Sequence, residues 1–155
     1  MTINLIRSRV SGEALDGQII IDGQFICCTA ENAMSRIPAG KYEIHPIKCR
    51  QHARKVPMLF AWPLEGTEVE DFVNDRCGNC HRRGYVSGNA VMPHYCPMIT
   101  TGNGIHGRND GSIIVGNYIC PGCLKNSRKS YDILSERIRK AVSRGYIVFL
   151  NIIEK

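Results

Sequence analysis

Residues 15–28 read "LDGQIIIDGQFICC". Two Asp-Gly dipeptides bracket the β-branched run Ile19-Ile20-Ile21. Asp-Gly accepts the positive φ angles of a two-residue hairpin turn, so this pattern predicts paired antiparallel strands. The flanking "LIRSRVSGEA" and "TAE" extend the same reading to short strands joined by tight turns. A chain that opens this way must build a sheet first. In "IPAGKYEIHPI", Pro38 and Gly40 mark a turn. Lys41, Glu43 and His45 then alternate with Tyr42, Ile44 and, after a proline, Ile47, which predicts a half-buried strand. "KVPMLFAWPL" is a further Pro-bounded strand candidate.

The period changes once. "NSRKSYDILSERIRKAVSRG" places Tyr131, Leu134, Ile138 and Val142 on one face of a helix. Ser127 or Ser130 is the expected cap, and Gly145 suits the C′ position. Arg137, Arg139, Lys140 and Arg144 fall mostly on the other face, where a solvated basic surface near the helix C-terminus is favourable. "YIVFLNII" then reads as a buried closing strand. Strands, one helix and a last strand predict a single β-rich α+β domain over residues 1–155, with its one long helix within about residues 127–144.

A chain of 155 residues suits one domain with one core. At 43% hydrophobic and 22% charged residues, the composition is that of a folded globular chain. No apolar run approaches the roughly 20 residues of a membrane helix. "MTINLIRSRVSGE" has no signal-peptide h-region, so a cytoplasmic location with no membrane partner is expected. The net charge of +6 suits anionic partners without choosing among them.

Residues 65–98 are polar, Gly-containing and Cys-rich, and read as an insertion. Two CxxC pairs stand out, Cys77-Gly-Asn-Cys80 and Cys120-Pro-Gly-Cys123. A two-residue spacer lets both thiolates of a turn bind one ion, and two such pairs complete a tetrahedral zinc site. Zinc on Cys77, Cys80, Cys120 and Cys123 is therefore expected, with His81, His94 and Cys96 as spare donors. "CGNCH" also matches a c-type haem attachment sequence, which needs an export route that this N-terminus does not offer. A thioredoxin-type redox pair needs a βαβ setting that neither CxxC has. Cys27, Cys28 and Cys49 read as plain thiols, the first two pointing to opposite faces of a strand.

"GNGIHGRNDGSIIVG", residues 102–116, holds the densest chemistry. Gly104, Gly107 and Gly111 allow sharp turns around His106 and Ser112. If the segment folds back, His106 can serve as base and Ser112 as nucleophile, with backbone N–H groups as an oxyanion hole. On spacing alone, a strand–turn–strand with an ordinary histidine is the stronger reading.

"IPAGKYEI", "GIHGRNDGSIIVGN" and "NSRKSYDILSERIRKA" together resemble an uncharacterised family of phages and bacteria, itself similar to the L,D-transpeptidase (YkuD-like) catalytic domain. The resemblance loosely covers residues 5–45 and 99–153. It implies that domain's β-rich fold, with His106 as the motif histidine and Gly111 as the glycine before the nucleophile. Ser112 stands where the nucleophilic Cys would be, and Asp110 stands at the second motif histidine. Three readings follow. The first is a degenerate transpeptidase-like domain that binds a peptidoglycan fragment or another small peptide, glycan or nucleotide ligand. The second is an active cell-wall peptide hydrolase or transpeptidase using His106, Asp110 and Ser112. The third is a zinc-containing nucleic-acid-binding protein, suggested by "CRQHARK" and the basic helix, but without the aromatic platform of single-strand binders.

Overall fold

The computed structural model describes residues 1–48, 55–62, 97–105 and 111–155. Strands dominate these residues, and a single helix follows near the C-terminus. The strands are β1 (Thr2–Ser11), β2 (Ala14–Ile21), β3 (Gln24–Asn32), β4 (Gly40–Lys48), β5 (Lys55–Ala61), β6 (Ile99–Thr100), β7 (Ile113–Cys120), β8 (Cys123–Lys125) and β9 (Val148–Glu154). The helix α1 is Ser127–Ser143. Among the described residues, no helix is long and apolar enough to cross a membrane.

The sheet order is β5-β4-β9-β1-β2-β3-β7-β6, with β8 paired to β7. Its two ends then approach each other. Leu59 N–H donates to Pro97 O at 2.9 Å, and Met58 lies opposite Met98. The result is a nearly closed, barrel-like sheet, which leaves little free edge. The expected insertion over 65–98 falls mostly outside the described residues. Its last two positions, Pro97 and Met98, belong to the sheet closure instead.

The β2–β3 hairpin turns at Asp22-Gly23, with φ of 51° and 77°. The other Asp-Gly pair is not a turn. Asp16 and Gly17 lie inside β2, opposite Arg9 and Arg7 of β1. A Cβ on Gly17 would stand 2.8 Å from both Ile6 O and Thr29 Oγ1, so this glycine permits close packing there. The turn before β2 uses Gly12 at φ 61° instead.

Alternation sorts the strands into two faces. Ile3, Leu5, Ile19, Ile21, Ile113, Val115 and Leu150 join the main core, and Tyr131, Leu134 and Ile138 of α1 pack into the same cluster. Val142 is only partly buried, at its margin. Ala14, Ala30, Ile105, Ile114 and Leu124 form a second cluster. Cys27 belongs to the first and Cys28 packs against the second, so the adjacent thiols do face opposite ways.

The cap of α1 differs from expectation. Asn126 is the N-cap, in left-handed conformation and without a side-chain capping bond. Ser127 and Ser130 are buried inside the first turn, and Ser127 Oγ accepts the N–H of Gly102 at 3.0 Å. Tertiary contact with the 102–105 segment has taken the hydroxyl that would otherwise cap the helix. The other end follows the expected form. Gly145 N–H reaches Val142 O and Tyr146 N–H reaches Ala141 O, both at 3.0 Å, as in a Schellman motif.

Candidate functional site

The 102–116 segment is not a simple strand–turn–strand. β6 runs parallel to β7, with Ile99 opposite Ile113 and Thr100 opposite Ile114. Parallel neighbours need a connection that returns to the starting end. The start of the connection, residues 103–105, lies against the β7–β8 hairpin, where Ile105 joins the second cluster. Ile105 N–H donates to Gly122 O at 3.1 Å, and Leu124 N–H donates to Asn103 O at 2.9 Å. Gly104 lies opposite Cys123. A Cβ on Gly104 would sit 2.7 Å from Gly122 O, so only glycine allows this approach. Residues 103–105 and the second CxxC are thus brought together, although Pro121 lies 17 positions after Gly104 in the sequence.

Cys120 and Cys123 face each other across the β7–β8 hairpin. Pro121 and Gly122 make its turn, with Gly122 at φ 76°, as a Pro-Gly type II turn demands. A Cβ there would also fall 2.9 Å from Ala14 Cβ. Cys120 is exposed and Cys123 half-buried. The hydrogen bond between the two thiols, slight desolvation and the nearby negative charges of Cys123 and Asp16 hold the Cys120 thiol above its ordinary value. Asp16 supports the turn from beneath. Its Oδ1 accepts the N–H of Gly122 at 3.1 Å, and its Oδ2 lies 3.6 Å from Arg9 Nη2. The Arg9 guanidinium stacks 5.7 Å from the Tyr118 ring centroid and also hydrogen bonds the Tyr118 hydroxyl.

Ser112 sits just ahead of β7, after Gly111 at φ 81°. It is 3% exposed, so its hydroxyl is withdrawn from solvent. The neighbouring Ile113 N–H is bound to Met98 O at 2.9 Å, which fixes the backbone at this point to the sheet closure. His106, Gly107 and Asp110 lie outside the described residues. So do Cys77, Cys80, His81, His94, Cys96 and Cys49. Of the expected zinc ligands, Cys120 and Cys123 are described, and they form a matched pair. Among the described residues no three His, Cys, Asp or Glu side chains converge on a common point. Cys27 behaves differently from the hairpin thiols. Burial and the neighbouring Cys28 push it up to about 12, against a lowering hydrogen bond from the Gly116 backbone. It is a core thiol with little thiolate at neutral pH.

Arg9, Asp16 and Tyr118 carry no motif, and the sequence reading does not select them. They meet because β1, β2 and the β7–β8 hairpin meet. The one local hint is Asp16-Gly17 inside an apolar strand, a polar residue where alternation alone supplies no reason for it.

In comparisons with known proteins, no family model, no curated protein and no solved structure matches the chain.

Proposed function

We propose that this chain is a binding module on an L,D-transpeptidase-like frame, in which Ser112 performs no acyl transfer. The burial of Ser112 carries this reading. A nucleophilic hydroxyl must meet a carbonyl carbon at close range, with room for the tetrahedral intermediate beside it. A serine that is 3% exposed and held next to the sheet closure offers no such room. The bound ligand is a peptidoglycan stem peptide or another small peptide, glycan or nucleotide. It lies along the 102–105 segment.

The test compares wild type, Ser112→Ala and Ser112→Cys on peptidoglycan stem peptides. Products are followed by mass and binding by calorimetry. We expect no turnover by any of the three, and binding to wild type and Ser112→Ala that agrees within about twofold, a difference of under 0.5 kcal/mol. Loss of a true serine nucleophile costs on the order of 10⁶ in kcat. Turnover by wild type that disappears in Ser112→Ala therefore replaces this reading with the hydrolase or transpeptidase.

The same proposal includes one zinc held by Cys77, Cys80, Cys120 and Cys123. Cys120 and Cys123 are opposed across the hairpin, a pairing that would supply two of four ligands, and thiolates are preferred zinc donors. Closing a long polar stretch onto the β7–β8 hairpin would also couple metal binding to stability. Elemental analysis of chain purified without added metal is expected to give about one zinc per chain. Cys120→Ser with Cys123→Ser is expected to abolish it. A content near zero in the wild type, with all thiols titrating freely, counts against the site.

A further inference from the structure

We propose that Cys120 and Cys123 form a reversible dithiol–disulfide site, oxidised by a low-molecular-weight disulfide such as oxidised glutathione, and that the bond clamps the hairpin on which residues 103–105 are paired. The inference does not rest on the binding-module reading, because it needs neither Ser112 nor a bound metal.

Geometry is the first support. The two residues are direct partners in the antiparallel β7–β8 register, on either side of a two-residue turn. Directly opposed residues in such a ladder have Cα atoms about 4.5–5.5 Å apart, inside the roughly 4.4–6.8 Å range of disulfides. The Pro121-Gly122 turn and the Asp16 carboxylate beneath it hold the pair in place. Access is the second support. Cys120 is exposed, whereas Cys27 is fully buried in the main core.

The chemistry balances without a further reactant. Cys120 loses its proton and attacks one sulfur of the small disulfide. A Cys120 mixed disulfide forms and one small thiolate leaves. Cys123 then loses its proton and attacks Cys120 Sγ, which forms the internal bond and expels the second thiolate. The two released protons convert the thiolates to thiols. Two electrons pass from the protein to the small disulfide, and excess thiol reverses each step. A disulfide and a zinc ion on these same sulfurs exclude one another, so oxidation also releases any zinc held there.

The consequence falls on the candidate site. Asn103 and Ile105 hydrogen bond to Leu124 and Gly122, on either side of Cys123. A covalent bond across the turn end of the hairpin limits its local opening motions, and the paired residues 103–105 stiffen with it.

The full-length chain, stripped with a chelator, is treated with oxidised glutathione, quenched in acid, alkylated and mapped by mass spectrometry. The expected result is a Cys120–Cys123 link with a mass loss of about 2 Da, reversed by dithiothreitol. Amides of residues 103–105 and 122–124 should exchange more slowly in the oxidised form. Cys123→Ser should instead retain one glutathione on Cys120. The proposal is overturned if both thiols remain alkylatable in wild type, or if Cys123→Ser takes up no glutathione at Cys120. Oxidation that leaves the exchange of residues 103–105 unchanged overturns the clamp.

Discussion

Arg7→Met is expected to lower stability by about 3–5 kcal/mol, the cost of breaking a buried ion pair from one side. Arg7 shares the inward-facing parity of Ile3 and Leu5 on β1, and it is 2% exposed. Its Nε and Nη2 donate to the two carboxylate oxygens of Glu31, at 3.0 and 2.7 Å. Nη2 also donates to Ile37 O at 2.8 Å, and Nη1 to Glu154 Oε1 at 3.1 Å. Burial pulls the guanidinium down, but the hydrogen bond and charge of Glu31, helped by Glu154, more than offset it and hold Arg7 above its ordinary value. The arginine is charged throughout the usable pH range. Removing it leaves Glu31, 1% exposed, without its cation. The double variant Arg7→Met with Glu31→Leu should recover most of the loss, since a well-packed apolar pair can replace a buried ion pair. Urea unfolding followed by circular dichroism measures both. A single variant within about 1 kcal/mol of wild type contradicts the buried pair.

Leu134→Asp is expected to cost more than about 5 kcal/mol, a core cavity plus a buried carboxylate. Leu134 is fully buried between Tyr131 and Ile138 on the inner face of α1. Such a loss equals much of the roughly 5–15 kcal/mol that holds an ordinary domain folded. The variant should therefore be largely unfolded, or melt far below wild type. Its neighbour supplies the control. Ile133 is 45% exposed, so Ile133→Asp should stay within about 0.5–1 kcal/mol. Equal melting of the two variants removes α1 from its place in the core.

The helix was legible because its signal is local. Apolar residues at Tyr131, Leu134 and Ile138 repeat at the helical period, and Gly145 follows where a helix ends. The Asp22-Gly23 hairpin was legible for the same reason, since a two-residue turn selects its own residues. Asp16-Gly17 shows the limit of that signal. The same dipeptide serves a turn in one place and close packing in another, and only the neighbouring strands distinguish the two. Likewise Ser127 looked like a cap by composition, yet its hydroxyl is engaged by Gly102 from another part of the chain. Of the candidate site, Cys120 and Cys123 were legible as a pair because two residues separate them. The burial of Ser112 was not, because Ser112 reads the same in a turn whether a sheet closes beside it or not.

The sequence by itself determined the local periods: strands where residues alternate, one helix where they repeat every three or four, and the hairpin turn at Asp22-Gly23. Only the tertiary structure decided which strands are neighbours. It set β9 between β1 and β4, ran β6 parallel to β7, and joined the sheet ends at Leu59 and Pro97. It also buried Arg7 against Glu31 and laid residues 103–105 on the β7–β8 hairpin. The physical reason is that a backbone N–H or C=O accepts any strand of suitable register. Choice among partners comes from burying one shared core and satisfying every buried polar group at once, a condition on the whole chain and not on any window of it.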